Sequence, residues 1–411
     1  MLRRLPFRAG LSALTVLAAC QSHPDKKAAM ATEPAAVSKP AAAPAQPSDS
    51  AGAWYRTYRA ALGPNDSITL HLQSWPQILG DHTRGHLFGT YSHAAGEPLV
   101  VEGNTVADPD SVVLLDQSIT LLNEGGESPV WRLKRQGQEL VGTWNSQPVR
   151  LREAVPAGGL TFVSRYLLDS LAAFPKSPQP GAPYARWSLL ALEPGSGPAA
   201  PRRLVAATIL RALHGDSLDT RPVPTLAALF QEQGQLFTKD YRRTANDALQ
   251  QLPASERKSF PPFLNYEEQR ITEILWNQGG LLSIGSQFYA YTGGAHGNYG
   301  TQVLSLDTRT GRTLRYADIF RPDAKAPLQN LLGRYVRRTL GQEPTTPMDE
   351  FLFVKQMPVT HNVYLTSGGA VFVYAPYEIA SYAQGEVQVF VPFRDLQPLL
   401  RTGLPVGSPA S

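Results

Sequence analysis

The sequence predicts an α+β protein. An N-terminal all-β meander, a small barrel or sandwich, precedes a two-part α+β unit in which helices cover an antiparallel sheet. Three observations predict it. Between residues 53 and 155, short apolar or alternating runs recur, punctuated by Gly, Asp, Asn and Pro. After 156, runs at helical spacing sit between strand-like runs. Hydrophobic residues make up 42% of the 411 and charged residues 18%, enough to bury more than one core.

The chain starts MLRRLPFRAGLSALTVLAAC, a basic head, an apolar stretch and small residues before a cysteine, which reads as a secretory signal over 1–19. Cys20 is the only cysteine, so no intramolecular disulfide is available. The formal charge of +4 falls to +1 when Arg3, Arg4 and Arg8 leave with the signal. A near-neutral mature chain has no general attraction for polyanions, so no nucleic-acid partner is expected. Residues 21–52 are rich in Ala, Pro and Ser and poor in large apolar side chains. Such a segment cannot offset its ordering entropy, and it reads as a tether spanning roughly 30 Å as a flexible coil.

The β module, 53–155, contains ITLHL, PLVVEG, SVVLLDQSITLL, VWRLKR, ELVGTW and VRLRE as strand candidates, with a hairpin turn at Arg135–Gln138. Region 156–285 mixes classes. RWSLLAL reads as a strand and PRRLVAATILRALHG as a helix stopped by Gly215. LAALFQEQ, YRRTANDALQQL and YEEQRITEILWNQ are read as further helices, the last with Ile271, Leu275 and Trp276 on one apolar side. Region 286–402 returns to strands. LLSIGSQFYAY, which begins just before it, is a long strand. TQVLSLDTRTGRTLRY is a hairpin turning near Gly311, and NVYLTSGGAVFVYAPY another turning at Gly368-Gly369. GEVQVFVPF is the last strand. APLQNLLGRYVRRTLG is a helix with Leu328, Leu332, Tyr335 and Leu340 inward, RDLQPLL closes the fold, and 403–411 is a tail.

Two resemblances follow from these residues. Val16-Leu17-Ala18-Ala19-Cys20 is similar to the lipobox of bacterial lipoproteins, which implies cleavage before Cys20 and a diacylglycerol on its thiol. The chain would then be anchored in a bacterial cell envelope, outside the cytoplasm, on the periplasmic side or at the outer membrane. YTGGAHGN, LDTRTGRTL, DIF and NVYLTSGGAVFVYAPYEIASYAQGEVQVFVPF, spread over roughly 286–400, resemble the extracellular domain of unknown function found in the anti-sigma factor RsiV and the peptidoglycan deacetylase PdaC. Region 158–285 resembles, by its order of elements, the PdaC-type partner domain that precedes it. The resemblance implies a binding or sensing role in the envelope, toward a lysozyme-like protein or peptidoglycan. No stretch after the leader is long and apolar enough to cross a bilayer, so an anti-sigma role is not expected.

Three constellations carry candidate chemistry. Asp81-His82-Thr83-Arg84-Gly85-His86 resembles the metal-holding string of PdaC-type deacetylases, Asp81, His82 and His86 being the would-be ligands, but a strand-rich module of about a hundred residues is the wrong context for that fold. In YTGGAHGN, Gly293, Gly294 and Gly297 free the backbone beside Tyr291, so that N–H groups can cradle an anion or carbonyl with His296 and Asn298 orienting it. The plainer reading, a sharp reversal after FYAY, is preferred, because no nucleophile or acid is evident for His296. Tyr377, Glu378 and Tyr382 occupy a loop between two strands, as a recognition surface or, preferred, as packing with Glu378 capping a turn. Trp54, Trp75, Trp131 and Trp144 read as core aromatics rather than sugar platforms. The sequence thus points to a non-catalytic binding protein that needs no cofactor. The alternatives are a metal-dependent glycan deacetylase and a carrier of a small apolar ligand in the β module.

Overall fold

The computed structural model describes residues 49–50, 52–61, 67–79, 82–105, 110–117, 130–155, 157–175, 182–215, 222–251, 253 and 262–406. The signal, Cys20, almost all of the tether, SITLL at 118–122 and Asp81 lie outside them. Among the described residues no helix is long and apolar enough to cross a membrane.

Eight antiparallel strands form a closed up-and-down barrel: β1 Trp54–Ala61, β2 Ser67–Leu79, β3 His82–Ser92, β4 Pro98–Thr105, β5 Ser111–Asp116, β6 Val130–Gln136, β7 Glu139–Trp144 and β8 Gln147–Glu153. Closure comes from β1 on β8, with Tyr58 opposite Glu153 and Arg59 opposite Arg152. Period-2 alternation sends Ile68, Leu70, Leu72, Leu87, Tyr91, Val101, Leu114, Trp131, Leu140 and Leu151 into one packed interior. Gly103 and Gly142 let strands coil closely, since a Cβ there would lie 1.9 and 2.0 Å from the Val113 and Arg132 carbonyl oxygens of adjacent strands. The hairpin expected at Arg135–Gln138 is present, with Gln136 opposite Glu139 and Gly137 at φ +65°.

A six-stranded sheet follows, made of β9 Phe162–Ala172, β10 Tyr184–Pro194, β11 Tyr266–Gln278, β12 Leu281–Tyr291, β13 Asn298–Asp307 and β14 Arg312–Leu314, in spatial order β14-β13-β12-β11-β10-β9. Its pairs are antiparallel except β10–β11, which are parallel and joined by α1 Ala199–His214 and α2 Leu226–Gln251. A parallel pair needs such a crossover, so the helices between two neighbouring strands explain the departure from a purely antiparallel sheet. Gly215 stops α1 in the left-handed conformation, its N–H bonding Ala212 and Arg211 carbonyls. LAALFQEQ and YRRTANDALQQL, read as two helices, are parts of the single 26-residue α2.

One reading is overturned. YEEQRITEILWNQ is not a helix but β11. Residues 271–277 are buried without a break, because this strand has α1 against one face and the barrel strands β2 and β3 against the other. Burial on both faces erases the alternation that marks a strand, and the spacing of Ile271, Leu275 and Trp276 then mimics a helix.

The barrel docks on β11 through both apolar and polar contacts. Ala53, Trp75, Leu190 and Ile271 form a small core between them. Gln73 donates to the Thr272 carbonyl (2.9 Å) and accepts from the Ile274 amide (2.6 Å), and the Thr90 hydroxyl donates to the Leu275 carbonyl (3.0 Å). These bonds satisfy β11 backbone groups beside its bulge at Ile274/Trp276.

The C-terminal part packs α3, Lys325–Thr339, and a one-turn helix at Tyr316–Ile319 over a three-stranded sheet of β15 Val363–Leu365, β16 Gly369–Tyr374 and β17 Val387–Pro392. Leu328, Leu332, Tyr335 and Leu340 are all buried, as their spacing predicts. Hydrogen bonds tie β15 to the larger sheet: the Leu365 amide donates to the Ser305 hydroxyl (2.8 Å) and the Ser283 hydroxyl donates to the Leu365 carbonyl (2.6 Å). Residues 285 and 286, where the sequence suggests a division, both lie inside β12.

Candidate functional site

Two loops that are distant in sequence meet at one end of the sheets. The first joins β12 to β13 and spans Thr292–Gly297; the second joins β16 to β17 and spans Ala375–Glu386. Four hydrogen bonds to β13 hold them in register. Asn362, just before β15, accepts from the Val303 amide (2.8 Å) and donates to the Thr301 carbonyl (2.8 Å). Glu386, just before β17, accepts from the Thr301 amide (2.6 Å) and hydroxyl (2.9 Å). Burial raises the Glu386 carboxyl above its ordinary range, and the two Thr301 bonds hold it down in part.

At the meeting point the ring of Tyr382 stacks on His296 with centroids 3.8 Å apart and planes 21° apart. Its hydroxyl donates to the Gly297 carbonyl (2.6 Å). Tyr299 meets the same ring edge-on at 5.8 Å, and Tyr377 lies 5.7 Å away. His296 Nδ1 is 2.9 Å from the Gly297 carbonyl. A carbonyl only accepts, so Nδ1 carries hydrogen, and in the neutral ring Nε2 presents a lone pair to the Tyr377 hydroxyl at 3.5 Å. Tyr291 donates to the Gly294 carbonyl (3.1 Å) and so braces the first loop.

The glycines serve geometry. Gly293 and Gly294 sit at φ +89° and +101°, a reversal that residues with a Cβ rarely make. Gly297 allows close approach instead, since a Cβ there would lie 2.6 Å from the Tyr289 ring. Asn298 is exposed and opens β13 opposite Ala290. Glu378 caps its own turn, accepting from the Ala375 amide (3.0 Å) while its N–H donates to the Ala375 carbonyl (3.0 Å).

Tyr377 departs from local rules. Its φ is +68°, which puts an aromatic residue in the left-handed region, and it remains 57% exposed. Such a conformation costs about 1–2 kcal/mol for a residue with a Cβ. The cluster as a whole is an exposed aromatic platform, with His296, Tyr377 and Tyr382 on two braced loops. Among the described residues, His296 meets the Gly297 carbonyl, the Tyr382 ring and the Tyr377 hydroxyl.

Every first-loop and second-loop residue singled out in the sequence lies in this cluster or in the turns that carry it. Tyr299 and Tyr289 were missed. Their signal was the hairpin register, which pairs Tyr289 with Tyr299 once the turn at Thr292–Gly297 is placed.

The other candidates fall elsewhere. Asp81 lies outside the described residues, as does the side chain of His82. His82 and His86 both belong to β3. Four residues of strand separate their backbones by about 13 Å, against about 6 Å for the same spacing on a helix. His86 is already engaged: its ring lies 4.6 Å from that of Trp75, and Nε2 is 3.4 Å from Glu102. Burial pushes this imidazole down to about 4 and raises the Glu102 carboxyl, so at neutral pH the contact involves an uncharged imidazole. Among the described residues no three His, Cys, Asp or Glu side chains converge as a metal site. Trp131 and Trp144 stack at 5.2 Å with Trp131 fully buried, Trp75 is 3% exposed, and Trp54 lies under the Arg135 guanidinium at 4.6 Å.

Comparison with known proteins places these elements. Residues 317–394 match the family model described as "Protein of unknown function (DUF3298)", and residues 214–299 match the one described as "Deacetylase PdaC". The chain therefore carries a PdaC-type domain followed by a DUF3298-type domain. A crystal structure of a DUF3298 family member from Bacteroides fragilis is similar, with a TM-score of 0.51 and 23% identity, over 60% of this chain and 96% of that one. A DUF3298 family protein from Pseudomonas aeruginosa aligns with a TM-score of 0.40 and 19% identity, over 60% of this chain and 97% of that one. No curated protein matches. The platform straddles the two matched segments: His296 lies in the first, Tyr377 and Tyr382 in the second.

Proposed function

We propose that this is a lipid-anchored protein of the bacterial cell envelope that binds a partner through the His296–Tyr377–Tyr382 platform and does not transform it. The observation that carries the reading is the exposed Tyr377 ring held at positive φ beside the His296–Tyr382 stack. Tyrosine offers rigid amphipathic area at low entropic cost, and a strained, exposed aromatic is retained where its direction matters. The lipobox-like stretch before Cys20 and the Ala/Pro tether support display at a membrane surface. The favoured partner is a lysozyme-like protein or peptidoglycan, in line with the resemblance to the extracellular domains of RsiV and PdaC. The packed barrel interior gives the carrier alternative no support, and the strand spacing of His82 and His86 gives the deacetylase alternative none.

The test is binding of the purified protein to lysozyme by pull-down, and to isolated sacculi by co-sedimentation. Both use wild type beside His296→Ala and Tyr377→Ala. Micromolar binding to one of the two, weakened about tenfold or more by each variant without a change in melting temperature, is the expected result. Binding to neither, or binding that ignores both variants, would overturn the reading.

A further inference from the structure

A cavity of about 300 Å³ opens between the one-turn helix at Tyr316–Ile319, the start of α3, the segment before β15 and the C-terminal segment at Arg401. It shares no residue with the aromatic platform. One wall is aromatic: Tyr316 stacks on His361 with centroids 4.2 Å apart and planes 16° apart, and it leans on Phe320 at 5.0 Å. The rim is cationic, with Arg321, Lys325 and Arg401.

The three cations are not equivalent. Arg321 is committed, its Nε and one η nitrogen donating to Asp323 (3.1 and 2.8 Å) and the other to the Pro398 carbonyl (3.3 Å). Arg401 uses only Nε, on the carbonyls of Ala317 (2.6 Å) and Phe320 (3.2 Å). That anchors the base of the guanidinium and leaves both η nitrogens without a protein partner among the described residues. Lys325 has none either, and it is the first residue of the 15-residue α3, so its charge adds to the positive end of the helix. Unpaired lysines and arginines are ordinary on a surface. Here two of them border one concave site with an aromatic wall, one fixed by its neighbours with its free edge shaped for a carboxylate or phosphate.

We propose that this cavity binds a small organic anion: a carboxylate or phosphate carried on a single ring of sugar size. Lys325 and Arg401 take the anionic group, and the Tyr316–His361 wall takes the ring. The volume stands at the lower end for ligand pockets and suits one ring rather than a chain. Carboxylate and phosphate share the recognition chemistry, and the experiment separates them.

Isothermal titration of the full chain with glucuronate, glucose 6-phosphate, glucose and inorganic phosphate supplies the test. At least one ring-bearing anion should bind below about 1 mM, with glucose about tenfold weaker or more. Stronger binding of glucuronate assigns a carboxylate, stronger binding of glucose 6-phosphate a phosphate ester. Lys325→Ala and Arg401→Ala should each weaken that anion about tenfold and flatten its salt dependence. His361→Ala, at an exposed position, should weaken the ring-bearing anion and leave inorganic phosphate unchanged, and Tyr316→Leu should repeat the result if it folds. No binding of either ring-bearing anion at about 10 mM would overturn the proposal. So would glucose binding as tightly as the anions, or affinities indifferent to Lys325→Ala and Arg401→Ala.

Discussion

Two of the molecule's aromatic clusters differ in what surrounds their rings. In the barrel, Tyr91, Trp131 and Trp144 lie within 5.2–6.1 Å of one another, with Tyr91 and Trp131 buried. The Trp131 indole N–H has no hydrogen-bond partner among the described residues, so that ring is held by volume. At the surface, Tyr382, His296 and Tyr291 are each held by a hydrogen bond to a loop carbonyl, and Tyr377 stands exposed. Side chains of similar type therefore serve stability in one region and presentation in the other. What separates them is whether the contacts close around the ring or leave a face open.

Truncation separates the two clusters by the widest margin. Trp131→Ala should cost about 3–5 kcal/mol in urea unfolding, because it removes a fully buried indole and leaves a cavity inside a closed barrel. Tyr382→Ala removes a half-exposed ring and one hydrogen bond and should cost far less, about 1–2 kcal/mol. Equal losses would mean that the surface cluster is structural after all.

Burial also gives the barrel a pH signature. His71 is 1% exposed, with Nδ1 3.0 Å from the Tyr55 hydroxyl and Nε2 unpartnered among the described residues, and burial pushes it down to about 3. The unfolded chain binds a proton at this residue below about 6.5 while the folded chain does not. Stability from His71 is therefore complete above that value and is lost as pH falls toward 3. Between pH 6.5 and 4.5 the loss is about 2.5 kcal/mol. Glu273, buried with one oxygen unpartnered among the described residues and raised by that burial well above its ordinary value, acts with the opposite sign. The clean measurement is thus the difference between wild type and His71→Gln across that window, where the variant should lose less. Parallel curves would show that the buried imidazole does not govern acid sensitivity.

The sequence made these regions legible to different depths. Gly215 as a helix stop, the Gly137 turn and the inward Leu328–Leu332 stripe follow from local chemistry, and they stand where expected. β11 did not, because only the presence of both α1 and the barrel explains seven buried residues in a row. Both halves of the platform were visible as separate loops, but their meeting depends on Asn362 and Glu386 reaching Thr301 from 61 and 85 residues away. The cationic cavity was invisible for the same reason, since Arg401 and Tyr316 are neighbours only after the C-terminal segment returns.

At Tyr377 the expected change in stability is slight. If Tyr377 is held for presentation, its backbone strain and its ring are separable. Tyr377→Ala and Tyr377→Gly both remove the ring, but alanine keeps a Cβ at φ +68° and glycine does not. The glycine variant should be the more stable of the two by about 1 kcal/mol, less a part returned through the greater freedom of its unfolded chain. Both should lose partner binding to the same degree. A glycine variant no more stable than alanine would mean that the neighbouring turn, with Tyr377 N–H on the Ala380 carbonyl at 3.1 Å, makes this conformation cheap. The position would then belong with the residues shaped by packing, and the contrast with the barrel would rest on exposure alone.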